Sequence, residues 1–193
     1  LSFYQPVFST EDTISQAVAR YLTRIHKYME AEDWINAERE LEQTARRYFK
    51  NEDSYERALI NQLYGQFYAM QRDYKNAIPW FEKAIAKGRL PFAADLQVTY
   101  SLAQCYFQTG RYTDVINTLE NYRTKASKRG QNMAPVQLMV LGIAYFQEQE
   151  ILKAYLNIAE ANATSTKLNE EWLQDEFALA VKLEKYDDAI SVG

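Results

Sequence analysis

The chain has 193 residues, enough for one compact domain or one short run of repeats, and 47 % of them are apolar, enough for a continuous core. Only 6 Gly and 4 Pro, against abundant helix-favouring Ala, Leu, Glu, Lys and Gln, argue for an all-α fold and against sheets and flexible linkers. A net charge of −4 and a pI of about 5.2 do not support the clustered cations of a nucleic-acid footprint, and the longest apolar run, near residues 138–146, is too short to cross a bilayer.

Residues 1–12 form a leader. Its aromatic stretch Leu1 to Phe8, with Pro6, is either disordered or folded back over apolar surface, and Ser9-Thr10-Glu11-Asp12 can cap the first helix. Five similar segments follow, at 13–51, 58–91, 96–128, 135–167 and 170–193, the last incomplete. Asp33, Asp73 and Gly110 mark turns inside the first three. Gly88 and Gly130 fit C-terminal helix caps, with Pro91 and Pro135 just beyond them. Residues 128–135 make the longest connection. Pro79 falls inside a helix and should bend it. The early stop of the fifth segment suggests a piece of a longer protein, or an end that pairs with another chain.

Anchor residues recur in register. A small residue marks a close helix crossing at Gly65, Ala103 and Gly142, and an aromatic follows three residues later at Tyr68, Tyr106 and Tyr145. A bulky residue opens each second helix: Trp34, Tyr74, Tyr112, Ile151 and Tyr186. Three residues on comes a small or β-branched one at Ala37, Ala77, Val115, Ala154 and Ala189, positions 40, 38, 39 and 35 apart. Between these anchors apolar residues keep helical spacing, as in Leu63, Phe67 and Met70, or Ile78, Phe81 and Ile85. A single helix pair cannot bury such faces alone, whereas stacked pairs share one core.

This pattern resembles the tetratricopeptide repeat (TPR) family over about residues 18–190, best at Gly65, Tyr68, Tyr74, Ala77, Phe81 and Ala84. It departs where Val115 and Tyr122 replace small residues and where spacings exceed the family's 34. The resemblance implies a right-handed α-solenoid of helix–turn–helix repeats whose concave face, lined by the first helix of each repeat, binds polypeptides. It nominates Leu22, His26 and Met29 in the first repeat, and Leu59, Gln62, Gln66, Ala69 and Met70 in the second. In the third it nominates Gln97, Tyr100, Gln104, Phe107 and Gln108, and in the fourth Val136, Met139, Ile143, Phe146 and Gln147. Partner binding is expected to centre on Gln62, Gln66, Met70, Gln97, Tyr100, Gln104, Phe107, Met139, Ile143 and Phe146. Members that clamp an acidic C-terminus use Lys, Arg and Asn at such positions, and this chain has none there. Its amides, aromatics and apolar side chains suit a helix in a groove, or an extended peptide whose backbone pairs with Gln. Tyr100, Phe107 and Phe146 are the expected hot spots, unless they pack against neighbouring repeats or the leader.

Other features have structural readings. His26 is the only histidine and lacks signposted partners for zinc or general-base chemistry. Cys105 reads as a small buried hydrophobe. Arg123, Lys125, Lys128 and Arg129 gather at a helix end, where cations complement the dipole; an anionic membrane or nucleic acid is the alternative contact. Asn162-Ala163-Thr164 matches a glycosylation acceptor at a helix end. No phosphate loop, HExxH, GxSxG or paired-Cys metal motif is present, so neither catalysis, metal nor cofactor is expected. The expected function is a non-catalytic scaffold for a protein or peptide partner, without nucleic acid or a membrane span. The alternatives are a module that self-associates into homo-oligomers through its open ends, or a helper of an enzyme or membrane complex. Finally, KLNEEWLQ and LEKYDDAI look like segments of the TPR proteins associated with bacterial TonB systems, a resemblance that implies the periplasm.

Overall fold

The computed structural model describes residues 16–48, 51, 53–167 and 169–191, so the proposed Ser9 to Asp12 cap and the Leu1 to Phe8 stretch lie outside the described residues. Every regular element among the described residues is an α-helix. In order these are α1 (Gln16–Glu30), α2 (Trp34–Tyr48), α3 (Tyr55–Met70), α4 (Tyr74–Ile85), α5 (Phe92–Gln108), α6 (Tyr112–Ser127), α7 (Pro135–Gln147), α8 (Ile151–Thr164) and α9 (Glu170–Ser191). The chain divides into two compact units inside α5, the first ending at Cys105 and the second starting at Tyr106.

In the first unit α1 buries Val18, Leu22, Ile25 and Met29, one apolar stripe at helical spacing, against α2. Arg24 and Glu40 join the two helices with an ion pair at 3.0 Å. Between α2 and α3, the rings of Trp34 and Phe67 meet edge-on at 5.9 Å. Tyr64 of α3 stacks on Trp80 of α4 at 4.3 Å, and the Lys83 ammonium sits 4.6 Å from the same indole. Pro79 lies within α4.

In the second unit α6 and α7 are tied by polar bonds. Gln137 donates to the Tyr122 hydroxyl at 3.1 Å and accepts from the Ala134 backbone N–H at 2.9 Å, which closes the start of α7. The Tyr145 hydroxyl donates to Glu120 at 3.0 Å. Arg123 bonds Glu120 at 3.2 Å and also the Asn157 side-chain oxygen on α8. Its charge is therefore engaged by Glu120 on its own helix and by Glu160 of α8 at 3.9 Å, rather than simply offset against the helix dipole.

One backbone device closes all four turns inside helix pairs. Glu32, Arg72, Gly110 and Gln149 have φ of 55°, 62°, 72° and 64°, the left-handed region. The next residue along, Asp33, Asp73, Arg111 or Glu150, donates its N–H at 2.9 Å to the carbonyl of Tyr28, Tyr68, Tyr106 or Tyr145. This is the Schellman arrangement, and it puts the recurring tyrosine at a fixed distance before every turn, with its backbone carbonyl as the acceptor. Asp33 and Asp73 then cap the following helix, accepting from the backbone N–H of Asn36 and Asn76 at 3.2 and 3.3 Å. The helices that follow open at Trp34, Tyr74, Tyr112 and Ile151, as their register indicates. Tyr186 behaves differently: α9 runs without a break from Glu170 to Ser191, so Tyr186 lies inside a helix and opens none.

A side chain in the left-handed region costs roughly 1–2 kcal/mol relative to glycine. Arg72→Gly is therefore expected to stabilise the fold by up to about 1 kcal/mol, once the extra freedom of the unfolded glycine is allowed for, while Gly110→Ala destabilises it by about 1 kcal/mol. Urea denaturation of the two variants checks the opposite signs.

At Gly65 and Gly142 the neighbouring helix leaves no room for a Cβ. A Cβ added at Gly65 would stand 2.5 Å from the Phe81 ring, and one at Gly142 would stand 2.6 Å from Ile158 and 3.2 Å from the Ala154 carbonyl oxygen. On the opposite helices Ala37, Ala77, Val115 and Ala154 are all 0 % exposed. Overpacking of this kind costs about 1–3 kcal/mol, more than the roughly 1 kcal/mol that alanine gains over glycine in a helix. Gly65→Ala should lower the urea midpoint, and Gly65→Ala with Phe81→Leu should recover part of the loss. An unchanged midpoint in the single variant would show that the crossing relaxes freely.

Candidate partner-binding cleft

The residues nominated from the sequence are dealt to different environments. On α3, Gln62, Gln66 and Met70 share one face at four-residue spacing. Gln62 is only 5 % exposed, while Gln66 and Met70 are half-buried. The Gln62 and Gln66 side-chain oxygens are shielded from solvent, with no hydrogen-bond donor among the described residues. Gln97, Tyr100 and Gln104 share a face of α5 and are half-buried. Leu22, Met29 and Leu59 are core residues, and Met139 is buried as well. Phe107 meets Tyr112 edge-on at 5.7 Å. His26 and Ala69 are half-buried, whereas Gln108 and Gln147 are exposed.

Ile143 and Phe146 are brought together with residues the sequence reading missed. They form one wall of a cleft of about 330 Å³ between α7, α8 and α9. Ile158 of α8 and Ala178 and Leu179 of α9 complete the apolar lining, and Asp175 and Lys182 stand on the same α9 face. Phe146 is 38 % exposed, and the Lys182 ammonium lies 5.1 Å from the centre of its ring. From the cleft an apolar stripe continues along α7 through Val140 to Val136, which is 50 % exposed.

Local sequence explains how α9 presents that face. Asn169 caps the helix, accepting from the backbone N–H of Glu171 at 3.1 Å and of Trp172 at 3.3 Å. Asn162 of α8 donates its amide to the Trp172 carbonyl at 3.1 Å and to Glu176 at 2.8 Å. The glycosylation-like Asn162 is thus occupied in holding α9. Residues 175, 178, 179 and 182 then fall on one side of the helix by their three- and four-residue spacing. The only sequence signal for this wall was that periodicity.

Burial lowers the pKa of His26 against a smaller opposing pull from Glu30, which favours the neutral ring. Burial pushes the Cys105 thiol up to about 12. No group of three His, Cys, Asp or Glu able to hold a metal ion occurs among the described residues, and no helix among them is long and apolar enough to cross a membrane. An aromatic disulfide reagent at pH 8 is expected to leave Cys105 unmodified in the folded chain and to react at once in denaturant. Reaction at the same rate in both conditions would refute the buried placement.

A family model described as anaphase-promoting complex, cyclosome, subunit 3 matches residues 70–133. No curated protein matches the sequence. Among solved structures, a Podosopora anserina putative kinesin light chain with nearly identical TPR-like repeats is similar over 91 % of this chain and 90 % of its own, with TM-score 0.64 at 16 % identity. The chain has a TPR-like repeat fold. The same fold extends over 92 % of this chain and 91 % of PilW, a widely conserved type IV pilus biogenesis factor, with TM-score 0.54 at 15 % identity. Pseudomonas aeruginosa pilF is similar over 91 % of this chain and 88 % of its own, with TM-score 0.53 at 16 % identity. A chain of the Naa15/Naa10 complex bound to HypK-THB is also similar, with TM-score 0.52 at 14 % identity, over 91 % of this chain but only 30 % of that one. The all-α helical-repeat class expected from the sequence is thus the observed one, and TPR-like folds serve in general as scaffolds for protein–protein interaction.

Proposed function

We propose that the chain is a non-catalytic scaffold that docks a segment of a partner protein in the α7–α8–α9 cleft. The observation that carries the reading is the open apolar cleft itself, with Phe146 at its rim. A desolvated aromatic flanked by polar groups is the usual anchor of a protein interface. The volume, about 330 Å³, sits at the lower end of ligand sites and suits one or two large side chains rather than a cofactor. The stripe from Val136 through Val140 to Ile143 offers an amphipathic helix a track into the cleft.

A second reading concerns the first unit. Gln62 and Gln66 lie four residues apart, about 6 Å along the helix, close to the two-residue repeat of an extended strand. Their side-chain oxygens lack donors among the described residues, so a peptide backbone that displaced their cover would supply what they miss. Self-association through the open ends, and an accessory role in a bacterial envelope complex of the kind the TonB-system resemblance suggests, are further proposals.

Selection of binders from an unbiased displayed-peptide library against the whole chain separates the two sites. Binders of the cleft should lose about tenfold in affinity with Phe146→Ala and keep it with Gln66→Ala, with helicity unchanged by circular dichroism. The reverse pattern would favour the first unit, and binders indifferent to both variants would refute both readings.

A further inference from the structure

Resting on the reading of the cleft as a docking site, we infer that its occupant is a partner helix whose apolar anchor is bracketed by one basic and one acidic side chain, about two helical turns apart. The argument is charge complementarity on a single rim. Asp175 and Lys182 both line the cleft, and both belong to α9. Seven residues separate them, about 10 Å along the helix axis, with the apolar Ala178 and Leu179 between. The cleft is thus an apolar floor with an anion at one end and a cation at the other.

This pattern rejects simpler occupants. A segment flanked by acids would gain at Lys182 and be repelled at Asp175, and a segment flanked by bases would meet the opposite pairing. A fatty acid would pair its carboxylate with Lys182 and leave Asp175 beside an acyl chain with no counter-charge. A helix with residues of opposite sign at positions i and i+7 matches both rim charges while its apolar side chain at i+3 or i+4 enters between them. Either chain direction is allowed, because reversing the partner exchanges the two ends. The half-buried Lys182 also lies against the Phe146 ring, so its ammonium is held at the mouth rather than swinging free.

The test uses the whole 193-residue chain and three lactam-stapled, fluorescein-labelled helical peptides that share a leucine anchor. They differ only in their flanks: Lys and Glu, Glu and Glu, or Lys and Lys. Fluorescence anisotropy at low salt is expected to rank the mixed peptide about fivefold above either like-charged one. Asp175→Lys should move the preference to the Glu-flanked peptide, and Lys182→Glu should move it to the Lys-flanked peptide. Phe146→Ala should weaken all three. If the three bind alike and the charge variants change nothing, while Phe146→Ala still weakens them, the bracketed-charge inference fails and the docking reading stands. If none binds, or binding ignores Phe146→Ala, the docking reading fails with it. Displacement of the mixed peptide by decanoate that persists undiminished in Lys182→Glu would assign the cleft to an acyl chain and overturn the inference.

Discussion

The close crossing of paired helices is the constraint on which the structure depends. Gly65 and Gly142 each sacrifice about 1 kcal/mol of helix propensity relative to alanine. In return the Phe81 ring and the Ile158 side chain pack directly against helix backbone, and both are almost completely buried. Full burial of such a side chain contributes about 1.5–3 kcal/mol, so the balance favours glycine wherever a large residue stands opposite. Ala37, Ala77, Val115 and Ala154 serve the same approach from the other helix, and none exposes any surface. Short side chains at these two levels fix the hairpin geometry, and the longer side chains between them then fall into a shared core.

The turns show how far a local pattern can be read. Asp33, Asp73 and Gly110 announce theirs, because a capping carboxylate or a residue free to take positive φ has few other reasons to recur at that spacing. The fourth turn, Glu148-Gln149-Glu150, contains only good helix formers, yet Gln149 takes φ 64°. It was legible through register alone: Tyr145 lies three residues after Gly142, and its carbonyl accepts the closing bond from Glu150. Register misled at Tyr186. Nine residues before Trp34, Tyr74, Tyr112 and Ile151 stand Ile25, Gly65, Ala103 and Gly142; nine before Tyr186 stands Phe177. Three residues further, Tyr28, Tyr68, Tyr106 and Tyr145 are matched by Ala180. Ile25 shows that a large residue at the first position does not by itself prevent a hairpin. In the fifth segment it coincides with the lost tyrosine and with Leu183, Glu184 and Lys185 leading into Tyr186, all strong helix formers. The helix continues, and Phe177 is left 72 % exposed.

The cleft was half legible for a related reason. Ile143 and Phe146 emerge from repeat position, a property of α7 alone. The opposite wall depends on how α9 is rotated, and there Leu179 packs into the core while Asn162 bonds the Trp172 carbonyl and Glu176 across an interhelical gap. Nothing in the local sequence distinguishes this asparagine from a glycosylation acceptor, because its two amide donors find partners 10 and 14 residues away. The KLNEEWLQ segment has an equally local cause: its asparagine, Asn169, caps α9, which a helix of any function could require.

Periodicity locates a helix face only to within a few tens of degrees, and the rim of a binding site is decided inside that margin. Met139 and Ile143 are four residues apart, rotated by about 40° on the helix. Yet Met139 is buried while Ile143 lines the cleft. Phe146, three residues beyond Ile143, turns back by about 60° and reaches the mouth, where Lys182 covers part of its ring. That cation–π contact, worth about 0.5–2 kcal/mol depending on desolvation, links the aromatic to α9. An anchor already restrained in this way loses less side-chain freedom when a partner arrives, and the same lysine that restrains it supplies the charge a partner must match.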